Sequence, residues 1–473
     1  MVLNKRVVEF AVSANPDATL IAHLGAAVTT TQRTPRLAKQ PGEPLRLLLA
    51  GYLGAGNVGS EMRSNEIVRQ VRHLLGEQPV EVTALAVSER LPDDVLQDIR
   101  MKLFEGYLPD TVVAAVEECD GVIACEGSMF KSTFSDVLSA IMAGALGMAS
   151  RQGKLAVGYG AEVGAMEPDL RAFVADYAKD ASIYCRNEAS LQEARKLGLR
   201  AFSGADTAWS FTAAPVERAE ELLRSFGWNG RDPILALCPT NPFWWPVKAN
   251  PGMALAMQRT GAHKELSYGS VFFHAHSDEI DRRYRRYIQQ FGAAAAELAG
   301  SMGAFPLLIA MERVDETACR DLAREIGGAP AMLVGSDYRV GEVVALLRRA
   351  NLLISSRFHA LVASLPGLVP SIGVATDERI RNLLSDSDAW ERLVSAADPD
   401  FAEKIVAAAG KLDATQVADS ARRTVANALR GMGEMGLGLA EELRGHFPEL
   451  NIAERSDWQS CLPPLSAQIQ SFL

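Results

Sequence analysis

The segment "NLLISSRFHALVAS" (351–364) places Arg357 and His359 two residues apart, directly after an apolar run that ends in two serines. An arginine offers a fixed positive fork that can hold a carboxylate or phosphate through two parallel N–H bonds. A histidine is the side chain whose proton affinity lies nearest neutral pH, which suits it to proton transfer. The plainer alternative is that Arg357 pairs with a structural carboxylate and His359 caps a helix. The same layout recurs in "ASIYCRNEASLQEARKLG" (181–198), where an apolar run ends in Arg186 and Asn187, Glu188 and Ser190 open a helix. Asn187 or Ser190 reads as an N-cap and Glu188 as an acid favoured by the helix dipole. Arg186 opposes that dipole, so an anion is expected beside it.

Four further stretches carry candidate chemistry. Asp206, in "FSGADTAWSF", could orient a base or bind a sugar hydroxyl, or simply make a turn. In "GVIACEGSMFKSTFSD", Gly127, Ser128 and Lys131 lie between a strand and a helix; Lys131 either meets an anionic ligand or is a solvated lysine. "CPTNPFWWPVKAN" puts Trp244 and Trp245 in a loop after a strand, where aromatic faces could stack on a sugar or plug a domain interface. His274 and His276, in "VFFHAHSDE", form an H-x-H pair with no partner cluster, so no metal and no cofactor is assigned.

"LLLAGYLGAGNVGSEM" (47–62) has the spacing G-x-G-x-x-G at Gly54, Gly56 and Gly59, with Asn57 inside it. That spacing allows a tight turn that brings a phosphate to a helix N-terminus, as in dinucleotide-binding folds, with Glu89 in the place of the ribose-binding acid. Alone it is a weak signal.

These residues need a scaffold that gathers strand ends. Apolar runs "LRLLLAG", "VEVTALAV", "GVIAC", "LAVGYG" and "SIYCR" read as buried strands, followed in a second series by "ILALCP", "FPLLIAM", "AMLVG", "NLLISS" and "VPSIGVA". Helical spacing runs between them, at 58, 62, 68, 71 and 75 and in a long polar helix from Asp278 to Met302. Strands buried on both faces and joined by helices imply doubly wound parallel sheets in an α/β protein. The boundaries read as an N-terminal extension (1–44) ending in a loose proline-bearing connector, Rossmann-like domains at 45–228 and 229–386, and a helical tail (387–473). Two such domains in tandem outline a GT-B-like enzyme with its site in the cleft between them.

With 48% hydrophobic and 22% charged residues the 473-residue chain has the composition of a soluble globular protein. A formal net charge of −10 without a basic block excludes a general nucleic-acid binder. Cysteines at 119, 125, 185, 238, 319 and 461 form no C-x-x-C pair and read as reduced, buried thiols. The most apolar stretch, "VLSAIMAGALGMAS" (137–150), is too short for a bilayer and rich in small residues suited to a packed helix. The N-terminus lacks a signal-peptide pattern. The expectation is a cytoplasmic protein without a transmembrane segment, with peripheral work at a bilayer surface left open.

Taken together, "GYLGAGNVGSE", "CRNEAS", "GADTAWSF" and "SSRFHALVAS" followed by "GLVPSIGV" resemble the polysaccharide pyruvyl transferase family, over roughly residues 45 to 385. The resemblance implies a GT-B-like fold and transfer of the pyruvyl group of phosphoenolpyruvate onto a sugar or glycan acceptor, lipid-linked acceptors included, commonly as a cyclic ketal. It maps the family's basic and proton-transferring residues onto Arg186, Arg357 and His359, with Asp206 or Glu188 orienting groups. The glycine loop (Gly54, Gly56, Asn57) then lines the cleft, joined by Glu188, Ser128, Lys131 and Trp245. Arg186 and Arg357 are expected to grip the donor from either side. Two departures stand out: Ser60 occupies a position where the family usually has aspartate, and "CEGS" replaces a run of glycines. The alternatives are a GT-B glycosyltransferase using a nucleotide sugar, a nicotinamide-dependent oxidoreductase and a non-catalytic binding protein.

Overall fold

The computed structural model describes residues 5–33, 38–40, 42–88, 92, 94–103 and 109–473; Glu89 lies outside the described residues. The first domain is built on a seven-stranded sheet. In spatial order its strands are Arg100–Leu103, Val80–Ala86, Leu45–Leu53, Gly121–Ala124, Leu155–Ala161, Ser182–Cys185 and Arg200–Ser203. Every neighbouring pair runs parallel. The second domain repeats the plan with six parallel strands: Ala331–Val334, Phe305–Ala310, Ile234–Cys238, Leu352–Ser355, Ser371–Ala375 and Leu393–Ser395. In each sheet the order reverses beside its first strand, and a crevice opens at that switch point outside the carboxyl ends.

All ten strands expected from apolar runs are present. The two missed in the main sheets, Arg100–Leu103 and Leu393–Ser395, lie at sheet edges, as does Arg200–Ser203, the short strand before Asp206. An edge strand is covered on fewer sides and tolerates charge, so it carries no continuous apolar run. A small antiparallel sheet of Lys248–Ala249, Phe272–Phe273 and Ser267–Gly269 was also not anticipated. The long helix spans Asp278–Met302 as expected, capped by Ser277, whose side chain accepts from the Ile280 N–H.

The N-terminal extension is more ordered than its sequence suggests. Pro16–Thr30 is a helix whose Leu20, Leu24 and Val28 are fully buried. They share a core with the helix Asp136–Gln152, which is buried nearly all round because the sheet covers one side and the N-terminal helix the other. Burying each such side chain contributes about 1.5–3 kcal/mol, enough to make this segment part of the first domain.

The tail also belongs partly to the domains. Leu393–Ser395 joins the second sheet, and Phe401, Ile405 and Ala408 of the next helix enter that domain's core, beyond the expected boundary at 386. The helix Ala414–His446 then crosses back, packing Val425, Leu429 and Met432 into a core shared with Trp209, Tyr184 and Ala205 of the first domain. The six cysteines are free and buried. Among the described residues no helix is long and apolar enough to cross a membrane, and no group of His, Cys, Asp or Glu could hold a metal ion.

Candidate active site

The first domain delivers charged side chains from the ends of its strands. Arg186, just after Ser182–Cys185, donates from Nε to Glu162 at 2.6 Å and from its terminal nitrogen Nη1 to Asp206 at 3.0 Å. Asn187 and Asn382 add hydrogen bonds to Glu162, at 3.0 and 2.9 Å, the second reaching across from the other domain. The anion expected beside Arg186 is therefore supplied twice by the protein itself.

A second, fully buried arginine escaped the sequence reading. Arg63, on the helix Val58–Leu75, donates to the carbonyls of Cys125 and Gly160 at 2.5 and 2.8 Å and sits 2.9 Å from Asp206. Its helix reads as amphipathic, and an arginine on its polar face resembles a solvated one. The strand-end carbonyls of Cys125, Tyr159 and Gly160 and the carboxylate of Asp206 bury it instead.

Asp206 is the hub. One oxygen accepts from the Ala208 N–H at 2.9 Å, while the other faces Arg63, Arg186 and, at 3.4 Å, Nε2 of His359. Burial alone would raise its affinity for a proton, but Arg63, His359 and Arg186 outweigh burial and hold the carboxyl well below the ordinary range. His359 comes from the second domain, on the short helix Phe358–Ser364 that follows Leu352–Ser355. Burial pushes its imidazole below its ordinary value; Asp206 offsets this in part, and Arg63 and Arg186 reinforce it. The ring is thus neutral near pH 7 and poised to accept a proton, with a carboxylate at hand to steady the imidazolium.

The glycine loop explains how the ring gets there. A Cβ on Gly59 would stand 2.1 Å from Nδ1 of His359, so no other residue lets the histidine approach. Gly56, at φ +69°, passes so close to Ser336 that a Cβ would come within 2.6 Å of it. Gly54, at φ +73°, makes the turn against Ser88. The Val58 N–H donates to the Met311 carbonyl at 3.0 Å, and Asn57 donates to Glu312 at 2.9 Å while capping its own helix through Ser60. The loop grips the second domain.

Like Arg186, Arg357 sits against carboxylates of the protein. It is paired with Asp315 at 2.8 and 2.5 Å and with Glu312 at 3.2 Å. Tyr52 and Asn57 donate to the same Glu312, so this cluster ties the second domain to the first. The structure does not bring Arg357 and Arg186 together on one ligand-sized space. Arg186 instead shares a cavity of about 170 Å³ with Arg379, enclosed by Asp206, Phe358, Thr424 and Asn427 among others. Phe358 lies under Arg186, 4.4 Å from its guanidinium carbon to the ring centre.

Lys131 is buried and crosses the domain boundary, 2.8 Å from Glu378 and 3.3 Å from Asp377, the latter also held by Arg379 at 2.7 Å. Ser128 is buried beside Glu126, and Gly127 lies against Arg186 and Arg63. The two departures from the family pattern touch: Ser60 donates to the carboxylate of Glu126 at 2.9 Å. Glu188 is exposed in the first turn of its helix, which Asn187 caps. Trp245 is packed edge-on against Phe134, Tyr268 and His274, in the manner of an interface plug.

One acid on the loop's helix is unusual. Glu61 is 1% exposed, and burial with Asp94 and Glu312 nearby raises its carboxyl from 4.5 to about 8, against a backbone hydrogen bond from Gly56 that lowers it. A raised acid gives stability that is full below its unfolded value and fades as pH rises through about 8. Glu61→Gln is therefore expected to match wild type in melting temperature at about pH 4 and to exceed it at about pH 8, by on the order of 3 kcal/mol. Parallel pH profiles for the two proteins would contradict a neutral Glu61.

Comparison with known proteins bears on what this geometry serves. A family model for polysaccharide pyruvyl transferases matches residues 57–378, more than half of the chain. The chain belongs to this family. The match spans Asn57 and Gly59 of the glycine loop, the Arg186–Asp206 cluster and the S-R-F-H turn; Gly54, Gly56 and Arg379 lie just outside it. Comparison with curated proteins gives no match. Among solved structures, S. aureus MnaA, solved with UDP, aligns at 10% identity over 87% of this chain and 99% of its own, with a TM-score of 0.52. HepE (Alr3699) of Anabaena, in complex with UDP-glucose, aligns at 10% identity over 84% and 99%, also with a TM-score of 0.52. A UDP-N-acetylglucosamine 2-epimerase aligns at 11% over 88% and 99%, with a TM-score of 0.51. At these identities the likeness concerns the fold: this pyruvyl transferase family member has the GT-B-like arrangement of two Rossmann-like domains.

Proposed function

We propose that the protein transfers the pyruvyl group of phosphoenolpyruvate to a pair of hydroxyls on a sugar or glycan acceptor, forming a cyclic ketal, in the biosynthesis of a surface polysaccharide or other glycan. The observation that carries this reading is the contact of His359 with Asp206 across the domain boundary, beside a cavity where the guanidinium groups of Arg186 and Arg379 converge. A small, highly anionic donor needs converging cations and a base nearby, and Arg186, Arg379 and His359 are the candidates for these roles. Neutral His359 takes the proton of the first attacking hydroxyl as its oxygen bonds to C2 of the donor. The same proton passes to the methylene carbon C3, so the double bond is consumed. Phosphate then leaves C2, the second hydroxyl adds there, and its proton leaves with phosphate. Asp206 stabilises the imidazolium in between. No metal or cofactor enters these steps, and the expected setting is the cytoplasm.

Thermal unfolding with phosphoenolpyruvate, UDP-glucose and NADH in separate samples tests the donor. At 100 times its dissociation constant a ligand adds about 2.7 kcal/mol, a readable shift. Phosphoenolpyruvate is expected to raise the wild-type midpoint and to lose that effect in Arg379→Gln. Stabilisation by UDP-glucose without phosphoenolpyruvate would replace this reading with nucleotide-sugar glycosyl transfer.

A further inference from the structure

The family model stops at residue 378, yet half of the residues lining the Arg186 cavity lie beyond it. The cavity has two unlike ends. Arg186 and Asp206 make a buried, charged inner end. The outer end opens to solvent between two helices: Asp386 closes Glu378–Asp386, and Thr424 and Asn427 stand on Ala414–His446, with Asp386 and Asn427 exposed. A glycine seats the long helix there. A Cβ on Gly431 would come within 3.1 Å of the Gly204 carbonyl, and Gly204 leads into the turn that carries Asp206. Thr424, Asn427, Ala428 and Gly431 recur at helical spacing, so Thr424 and Asn427 overhang the cavity on the face that Gly431 seats.

Asp386 is the odd member of this set. It ends its helix, where the dipole disfavours negative charge. Burial, then Glu162 and Glu188, raises its carboxyl above the ordinary value, and no hydrogen bond or pairing cation among the described residues offsets them. We propose that Asp386, Asn427 and Thr424 form the acceptor subsite and hold a neutral sugar residue across the mouth of the cavity, its reacting hydroxyl pair turned inward. The side chains select the ligand. A carboxylate only accepts, and its two oxygens take O–H bonds from neighbouring sugar hydroxyls, while the Asn427 amide both donates and accepts. Trp209 and Leu383 give the wall an apolar part for the C–H face of the ring. A uronic acid would set its charge against Asp386, Glu162 and Glu188, so repulsion rejects it.

The position suits the reaction as well. Phe358 lines the same cavity, and His359, next in the chain, contacts Asp206 at its inner end. A sugar at the mouth therefore meets donor and base from the solvent side, and the rest of a glycan continues outward past the exposed Asn427. The assignment of an acceptor rests on the pyruvyl-transfer reading; binding of a neutral sugar at the mouth does not.

The test is saturation-transfer NMR of methyl β-D-glucopyranoside, methyl β-D-galactopyranoside, methyl α-D-mannopyranoside and the anionic methyl β-D-glucuronide, with and without phosphoenolpyruvate. Wild type, Asp386→Ala, Asp386→Asn and Asn427→Ala are compared, and the phosphoenolpyruvate thermal shift is recorded for each. Both positions are exposed, so the variants fold, which their melting temperatures check. At least one neutral glycoside is expected to bind wild type and to bind Asp386→Ala and Asn427→Ala roughly tenfold more weakly, the thermal shift being unchanged. The glucuronide is expected to bind Asp386→Asn better than wild type. Neutral-glycoside binding that the alanine variants weaken, without any phosphoenolpyruvate shift, upholds the sugar site and removes the donor reading. A phosphoenolpyruvate shift with equal glycoside binding by all four proteins overturns this proposal and leaves the donor reading standing. No glycoside binding to wild type under either condition also overturns it, as does a glucuronide bound by wild type as well as the neutral sugars.

Discussion

His359→Ala lowers turnover, followed as phosphate release from phosphoenolpyruvate in the presence of acceptor, on the order of 10²-fold or more. The expectation rests on position. The imidazole is nearly buried, pressed on one side against Gly59, where any Cβ would enter the ring, and directed on the other toward Asp206 at 3.4 Å. Alanine removes the base and leaves the cations that bind the donor, so phosphoenolpyruvate should still raise the melting temperature of the variant. The pH dependence follows from the direction of the shift. A base must be unprotonated to act, and burial with Arg63 and Arg186 lowers this imidazole below 6.5. Wild-type turnover should therefore hold level from about pH 8 to below pH 6.5 and fall only on further acidification. Near-normal turnover in the alanine variant would falsify the assignment of His359 as the proton carrier.

Asp206→Ala destabilises the protein by about 3–5 kcal/mol, measured by urea unfolding at neutral pH. The carboxylate lies between Arg63 at 2.9 Å and Arg186 at 3.0 Å, both buried, and its removal leaves two guanidinium groups facing each other across the gap. Glu162 still serves Arg186, and three carbonyls serve Arg63, but neither arrangement replaces the charge shared between them. The sign with pH is the usual one for a depressed carboxyl. Its contribution is present above the unfolded value of 3.8 and is lost as pH falls through the still lower folded value. Wild type should thus lose stability steeply below about pH 4, and the variant should lose less there. A cost under about 1 kcal/mol would show that the network is not held by this charge.

The positions of the key residues were legible because the fold places ligands at strand ends, and the apolar runs mark those ends. Arg186 and His359 each follow such a run and Asp206 follows a short edge strand, and the structure gathers all three within one ion network. The G-x-G-x-x-G spacing marked a tight turn correctly, but its purpose depended on what lay opposite. The close fit of Gly59 to His359 joins residues 300 apart, and no local pattern encodes it.

What local sequence could not supply was charge pairing. Arg357 and Arg186 look alike in sequence, each a cation at a strand end. The structure gives one to Asp315 and Glu312 as a domain tie and places the other beside a cavity. Arg63 drew no reading and Lys131 read as either a ligand contact or a solvated lysine, yet strand-end carbonyls and Asp206 enclose the first and the opposite domain pairs with the second. The sequence by itself determined two parallel-sheet domains, their central strands and the family, because continuous apolar runs and strand-end motifs are local properties of the chain. The tertiary structure alone decided which carboxylates each cation meets, which acid is kept neutral and which glycine admits the His359 ring, because burial and charge pairing arise only when distant segments meet.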